Sequence, residues 1–119
     1  MPRIIAVHRI TLKDGVTPEE FESFARNEWK PVEIPGWRMS VAKSDRGDDV
    51  GTFVQIYETD LATRNRHFPT GQMSDEARAL YERASNTPER KALIERWDAL
   101  VVQPTDLTRS YNDFIVITG

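Results

Sequence analysis

The run Phe114-Ile115-Val116-Ile117 is apolar at four consecutive positions. In a strand, successive side chains point to opposite faces of the sheet, so both faces of this segment seek cover. The other strand-like runs share the property in part: Ile4, Ile5, Ala6 and Val7 near the start, and Phe53, Val54, Ile56 and Tyr57 in the middle. A sheet with one solvated face would alternate apolar and polar residues instead. The chain therefore has to cover two faces of one sheet, which excludes most ways of arranging short strands and amphipathic helices.

Residues 3–13 read as a strand, with Ile4, Ala6, His8, Ile10 and Leu12 on one face and Ile5, Val7, Arg9 and Thr11 on the other. Asp14-Gly15 marks a turn. Thr17-Pro18-Glu19-Glu20 is a helix start, with Thr17 as the cap and Pro18 in the first turn. Phe21, Phe24, Ala25, Trp29 and Val32 follow at helical spacing, and Pro31 ends the helix near Trp29 and Lys30. Ile34-Pro35-Gly36 is a turn into a strand over residues 37–43, and the polar residues 44–50 make a hairpin to a strand over residues 51–58. Asp60, Ser74 and Thr87 each suit the cap of a further helix, and residues 107–118 form the last strand.

The order is β-α-β-β-α-β with the second helical element subdivided. This is the ferredoxin-like pattern, an α+β fold with a four-stranded antiparallel sheet. Right-handed crossovers place all helices on one face. The other face is left with several hundred Å² of apolar side chains on a rough count, more than a monomer ordinarily exposes. A second copy packed sheet on sheet supplies the cover, so a homodimer through the sheet face is expected.

At 119 residues the chain is expected to form a single domain, residues 1–119. It has no cysteine, which excludes disulfides, thiol catalysis and cysteine-based zinc or iron–sulfur sites. No cofactor and no metal site is expected. The net charge of −3 gives no electrostatic footprint for nucleic acid or an anionic membrane, and the apolar stretch among the first residues is too short for a signal-peptide core or a membrane span. No nucleic-acid partner and no membrane association are expected, and the cytoplasm is the expected location.

The strand, Leu12-Lys13-Asp14-Gly15-Val16-Thr17-Pro18-Glu19-Glu20-Phe21, Pro31 and Ile34-Pro35-Gly36 together resemble the dimeric α/β-barrel superfamily. Its members include antibiotic-biosynthesis monooxygenases, EthD-like proteins, muconolactone isomerases, certain polyketide cyclases and stress-responsive barrel proteins. The resemblance implies a dimeric α/β barrel with a small-molecule pocket between each sheet and its helices. It also implies either of two functions. One is an enzyme that oxygenates, isomerises or cyclises a hydrophobic cyclic or aromatic metabolite without a cofactor. The alternative is a non-catalytic ligand-binding or stress-associated protein. The chain departs from the EthD-like Glu-His-x-Pro arrangement, because Glu28-Trp29-Lys30-Pro31 replaces the histidine by Trp29.

Within that reading His8 is the candidate proton-transfer group, since imidazole exchanges protons near neutral pH. His67 is a second catalytic candidate, and Trp29, Tyr81 and Trp97 are candidate substrate-binding walls. Each has a plainer reading. His8 can be a hydrogen-bonded core or interface histidine, His67 a charge complement at a helix C-terminus, and the aromatic residues ordinary core packing. Tyr57 and Tyr111 can point hydroxyls into a cavity or simply pack on the sheet. Asp45-Arg46-Gly47-Asp48-Asp49 lacks the spacing of an EF-hand and reads as a solvated loop. The element order is shared with RNA-recognition motifs, but Asp49 and Val50 stand where that signature needs a basic residue and glycine.

Overall fold

The computed structural model of the chain describes residues 2–104 and 111–119. Its elements are β1 (Arg3–Ile10), α1 (Pro18–Asn27), β2 (Arg38–Lys43), β3 (Phe53–Asp60), α2 (Leu61–His67), α3 (Asp75–Ser85), α4 (Pro88–Leu100) and β4 (Tyr111–Ile115). The strands form one antiparallel sheet in the order β2-β3-β1-β4. Every helix starts on a side-chain cap: Thr17, Asp60, Ser74 and Thr87 accept from the backbone N–H three residues on. Such bonds satisfy donors that the first turn leaves open, and fix where each helix can begin.

Burial separates the two faces of β1. Ile4, Ala6, His8 and Ile10 are buried, whereas Ile5 and Val7 are half-buried and Arg3 and Arg9 exposed. The even positions therefore meet the helices. Phe21 and Phe24 of α1, and Trp97, Leu100 and Val101 at the end of α4, pack on Ile10 and Phe53. This core gathers at one end of the sheet. β1 leaves the sheet beyond Ile10, shorter than the expected 3–13, because its continuation turns to the chain after α4. Leu12 bridges to Val101, and Lys13 N–H donates to the Leu100 carbonyl at 2.9 Å.

The open face carries Ile5, Val7, Val54, Ile56 and Phe114 between two charged margins. One margin is Glu58 between Arg3 and Arg38; the other is Arg9 with Asp49.

The sheet does not close into the expected dimeric α/β barrel. β2 and β4 lie at opposite edges and, among the described residues, do not pair with each other. Four ordinarily twisted strands make an open sheet, since closure needs strand number, tilt and stagger to agree. The four-stranded ferredoxin-like layout stands without the barrel. The last strand also differs from the 107–118 expected. Residues 107–110 of that span lie outside the described residues, and regular pairing ends at Ile115. Phe114, Ile115 and Ile117 are 57 %, 48 % and 87 % exposed, because β4 is an edge that the helices do not cover.

Candidate functional site

With the core drawn to one end, the helices stand off the rest of the sheet and leave a half-open cleft of about 1380 Å³. Register determines its floor. Tyr111 and Gln55 flank His8 on the two neighbouring strands, and Asp113 and Tyr57 flank Ala6 in the next row. Side chains at these positions share the helix-facing side with His8. A polar row thus crosses the middle of the covered face, where an ordinary sheet would carry aliphatic residues.

These groups are organised. The His8 and Tyr111 rings stack with centroids 4.5 Å apart, and Tyr57 meets Tyr111 edge-on at 5.4 Å. Tyr57 donates a hydrogen bond to Tyr111, whose own hydroxyl donates to Gln55 Oε1 at 3.4 Å. Burial pushes the Tyr57 phenol well above its usual range, and the nearby Tyr111 and Tyr81 phenols push it further. Burial also raises Tyr111, partly opposed by the hydrogen bond it accepts from Tyr57. Both shifts favour the neutral phenols, which can donate hydrogen bonds.

One wall is built by a turn. Ile34-Pro35-Gly36-Trp37 closes with Trp37 N–H on the Ile34 carbonyl at 3.0 Å, and Gly36 has φ +86°. Thr59 Oγ1 donates to the Gly36 carbonyl at 2.7 Å, and a Cβ on Gly36 would stand 3.3 Å from Thr63 Cγ2. The turn is therefore seated against α2, and Trp37 is delivered to His67, one helical turn beyond Thr63. Trp37 Nε1–H donates to His67 Nδ1 at 2.8 Å, with Phe68 edge-on to the indole at 5.7 Å. A second wall comes from Trp29 and Trp97, whose rings lie 4.6 Å apart. Arg90 sits 5.7 Å over Trp29 and donates to the Lys30 and Pro31 carbonyls, which fixes the segment leaving α1.

All five sequence-stipulated residues line this cleft: His8 on the floor, His67 beside Trp37, Tyr81 on α3, and Trp29 with Trp97. Of these only Trp29 and Trp97 touch each other through their rings. Trp97 is also a core residue, 6 % exposed and edge-on to Phe21. His67 is 1 % exposed, and its Nδ1 is occupied as an acceptor, so its proton sits on Nε2. That arrangement places it in the cleft wall beside Trp37, in the last turn of α2. Gln55, Tyr57, Tyr111 and Trp37 complete the site. The sequence signal for the first three is that they fall in phase with His8, which becomes visible only with the strand register.

The cleft lining carries two arginines and two aspartates, and all four are engaged. Arg64 pairs with Asp113 at 2.5 Å, Arg78 with Asp75 at 3.2 Å, and Asp98 accepts from Gln103 at 2.7 Å. Among the described residues no three His, Asp or Glu side chains converge on a point that could hold a metal. No helix of the described residues is long and apolar enough to cross a membrane.

The chain is similar to two solved structures across nearly its whole length. One is At3g17210 from Arabidopsis thaliana, at 14 % identity over 100 % of this chain and 96 % of that chain, with a TM-score of 0.37. The other is mll5499 from Mesorhizobium loti MAFF303099, a DABB family protein with a ferredoxin-like fold; it shares 14 % identity over 99 % and 98 % of the two chains, with a TM-score of 0.36. A scan of family models and a search of curated proteins found no match.

Proposed function

We propose that this protein binds a neutral, hydrophobic small molecule of aromatic character in the cleft, and that it does so without turning it over. The observation that carries the reading is the polar floor of His8, Gln55, Tyr57 and Tyr111 between aromatic walls. Phenol and amide groups orient an oxygen or nitrogen on the ligand, and the indole rings take its flat faces. Both arginines of the cleft lining are paired with carboxylates, so neither is open to an anionic ligand. A bound anion would enter a partly desolvated site without a counter-ion, which is costly.

Nile red, a neutral planar dye, is a suitable probe. Its fluorescence should rise on the wild-type protein, and Met39→Trp, which fills the floor beside Tyr57, should weaken binding by at least about tenfold. Unchanged affinity in a folded Met39→Trp variant would place the dye elsewhere and remove the cleft reading. Native mass spectrometry of the protein as purified from cells tests for a carried ligand, and incubation with that ligand tests for turnover.

One observation favours the catalytic alternative: His8 lies on the cleft floor in contact with Tyr111, within reach of a bound molecule. In that case His8 moves the proton and the neutral phenols hold a developing oxyanion. Turnover of the carried ligand that is lost in His8→Ala would establish it over the binding reading.

The homodimer through the sheet face belongs to the same proposal. Four strands of 8, 6, 8 and 5 residues, at about 3.3 Å per residue and about 4.8 Å apart, present roughly 430 Å² in projection. Side chains enlarge this toward the ~600–800 Å² per partner of a small stable interface. The apolar strip of Ile5, Val7, Val54, Ile56 and Phe114, with mixed charges at both margins, suits a self-complementary contact.

A further inference from the structure

We propose that His67 is a proton-operated latch: as a neutral ring it holds Trp37 in the cleft wall, and as an imidazolium it releases Trp37 and takes Glu76 instead. The neutral arrangement is the one observed. Nδ1 accepts from Trp37 Nε1–H at 2.8 Å, and Nε2, which carries the proton, lies 3.8 Å from Glu76 Oε2. That second distance is beyond hydrogen-bond reach. A further proton can go only to Nδ1, where it meets the Trp37 N–H head-on. Two donors cannot share that line, so the bond is lost and the indole must turn away.

The same proton makes the ring a cation opposite a carboxylate. Glu76 would have to approach by about 1 Å to reach the 2.7–2.9 Å of a charge-assisted bond. The tie between the helices is already made: Ser74 N–H, at the cap of α3, donates to the His67 carbonyl at 2.8 Å. Glu76 stands in the first turn of α3 and is 51 % exposed, so it can move.

The other charges around the latch are engaged. On α2, Arg66 holds Glu76 at 3.1 Å and Arg64 holds Asp113 of β4. On α3, Arg78 is paired with Asp75. On α4, Asp98 accepts from Gln103. The floor contributes His8, Tyr57 and Tyr111, of which the two phenols are neutral. Among the described residues Glu76 is thus the acid nearest His67, with Arg66 competing for it. Because Trp37 leads directly into β2, its release reshapes the cleft wall next to the edge of the sheet.

Indole N–H resonances of the full chain, followed from about pH 8 to about pH 5, test this. The Trp37 resonance, assigned by its absence in Trp37→Phe, should move upfield in one titration while far-UV circular dichroism is unchanged. Its exchange with solvent should rise about fivefold relative to the Trp29 indole in the same sample, the loss of one ordinary hydrogen bond. His67→Gln keeps an acceptor at every pH and should hold Trp37 fixed, and Glu76→Gln should move the midpoint to lower pH. Should His67→Gln fail to fold, the ring nitrogen shifts of His67 in the wild type decide. A proton on Nδ1 at pH 8 overturns the latch, as does a Trp37 resonance that stays put, moves only with global unfolding, or titrates equally in His67→Gln.

Discussion

The Trp37–His67 contact can be weighed by a double-mutant cycle at about pH 8, where imidazole is neutral. Trp37→Phe keeps a ring but removes the donor, leaving His67 Nδ1 without a partner in a residue 1 % exposed. An ordinary buried acceptor stripped of its donor costs about 1–3 kcal/mol. His67→Phe removes the acceptor and leaves the indole N–H facing a ring carbon; because Trp37 is only half-buried and can reach water, the cost is expected nearer the lower end. The double variant leaves neither group stranded. Its destabilisation should therefore fall short of the sum of the single variants by the two stranding costs together, about 2–4 kcal/mol, while losses of ring contact with Tyr57 and Phe68 cancel from the cycle. Urea unfolding followed by circular dichroism gives the three differences, and a thermal scan should show roughly 4 °C per kcal/mol for a domain of this size. Additivity within about 0.5 kcal/mol would mean that the two rings are neighbours without a meaningful bond, and would take the geometric basis of the latch with it.

Gly36→Ala should lower the melting temperature, because φ +86° costs an L-residue about 1–2 kcal/mol and the new Cβ would meet Thr63 Cγ2 at 3.3 Å; an unchanged transition refutes the seating of the turn on α2. Phe21→Ala should cost about 3–5 kcal/mol in urea unfolding, as Phe21 is fully buried in the core shared with Phe53 and Trp97. Val7→Asp with Phe114→Glu places charges on the open face and should yield a monomer by light scattering where the wild type is a dimer; a wild type that is already monomeric at micromolar concentration refutes the sheet-face dimer. The folded phenols of Tyr57 and Tyr111 hold their protons more tightly than the ordinary 10.0. Their contribution is present below pH 10.0 and is lost as pH rises above it, so alkaline unfolding should become less steep in Tyr57→Phe.

The caps and breaks were readable because their chemistry is local: Thr17, Asp60, Ser74 and Thr87 each bond within their own first turn. The face of β1 that meets the helices was not, because Ile4 and Ile5 are equally apolar and only the packing of Phe21 and Trp97 on Ile10 decides between them. His8 was conspicuous as the lone histidine of an apolar strand. Tyr111 could be singled out as a strand tyrosine, but Gln55 could not, and that both flank His8 follows only from strand pairing that joins distant parts of the chain. The Trp37–His67 bond spans 30 residues and depends on a glycine turn meeting the side of a helix, which no spacing rule encodes. The four apolar residues of the last run suggested a buried strand; the exposure of Phe114, Ile115 and Ile117 follows from the edge position of β4, a property of strand order and not of the run itself.

That strand order has a kinetic side. β1 is the first strand to be made, yet both of its neighbours come later, and Ile4 pairs with Ile115 near the opposite terminus. Closing so long a loop must be paid for in entropy before the contact returns anything. During synthesis β1 therefore leaves the ribosome as an unpaired apolar segment and waits for β3, then for β4. A chain truncated before Tyr111 would keep β1 with one bare edge, a ready template for pairing with another molecule. The late, exposed β4 thus guards the centre of the sheet against intermolecular assembly, whatever it adds to equilibrium stability.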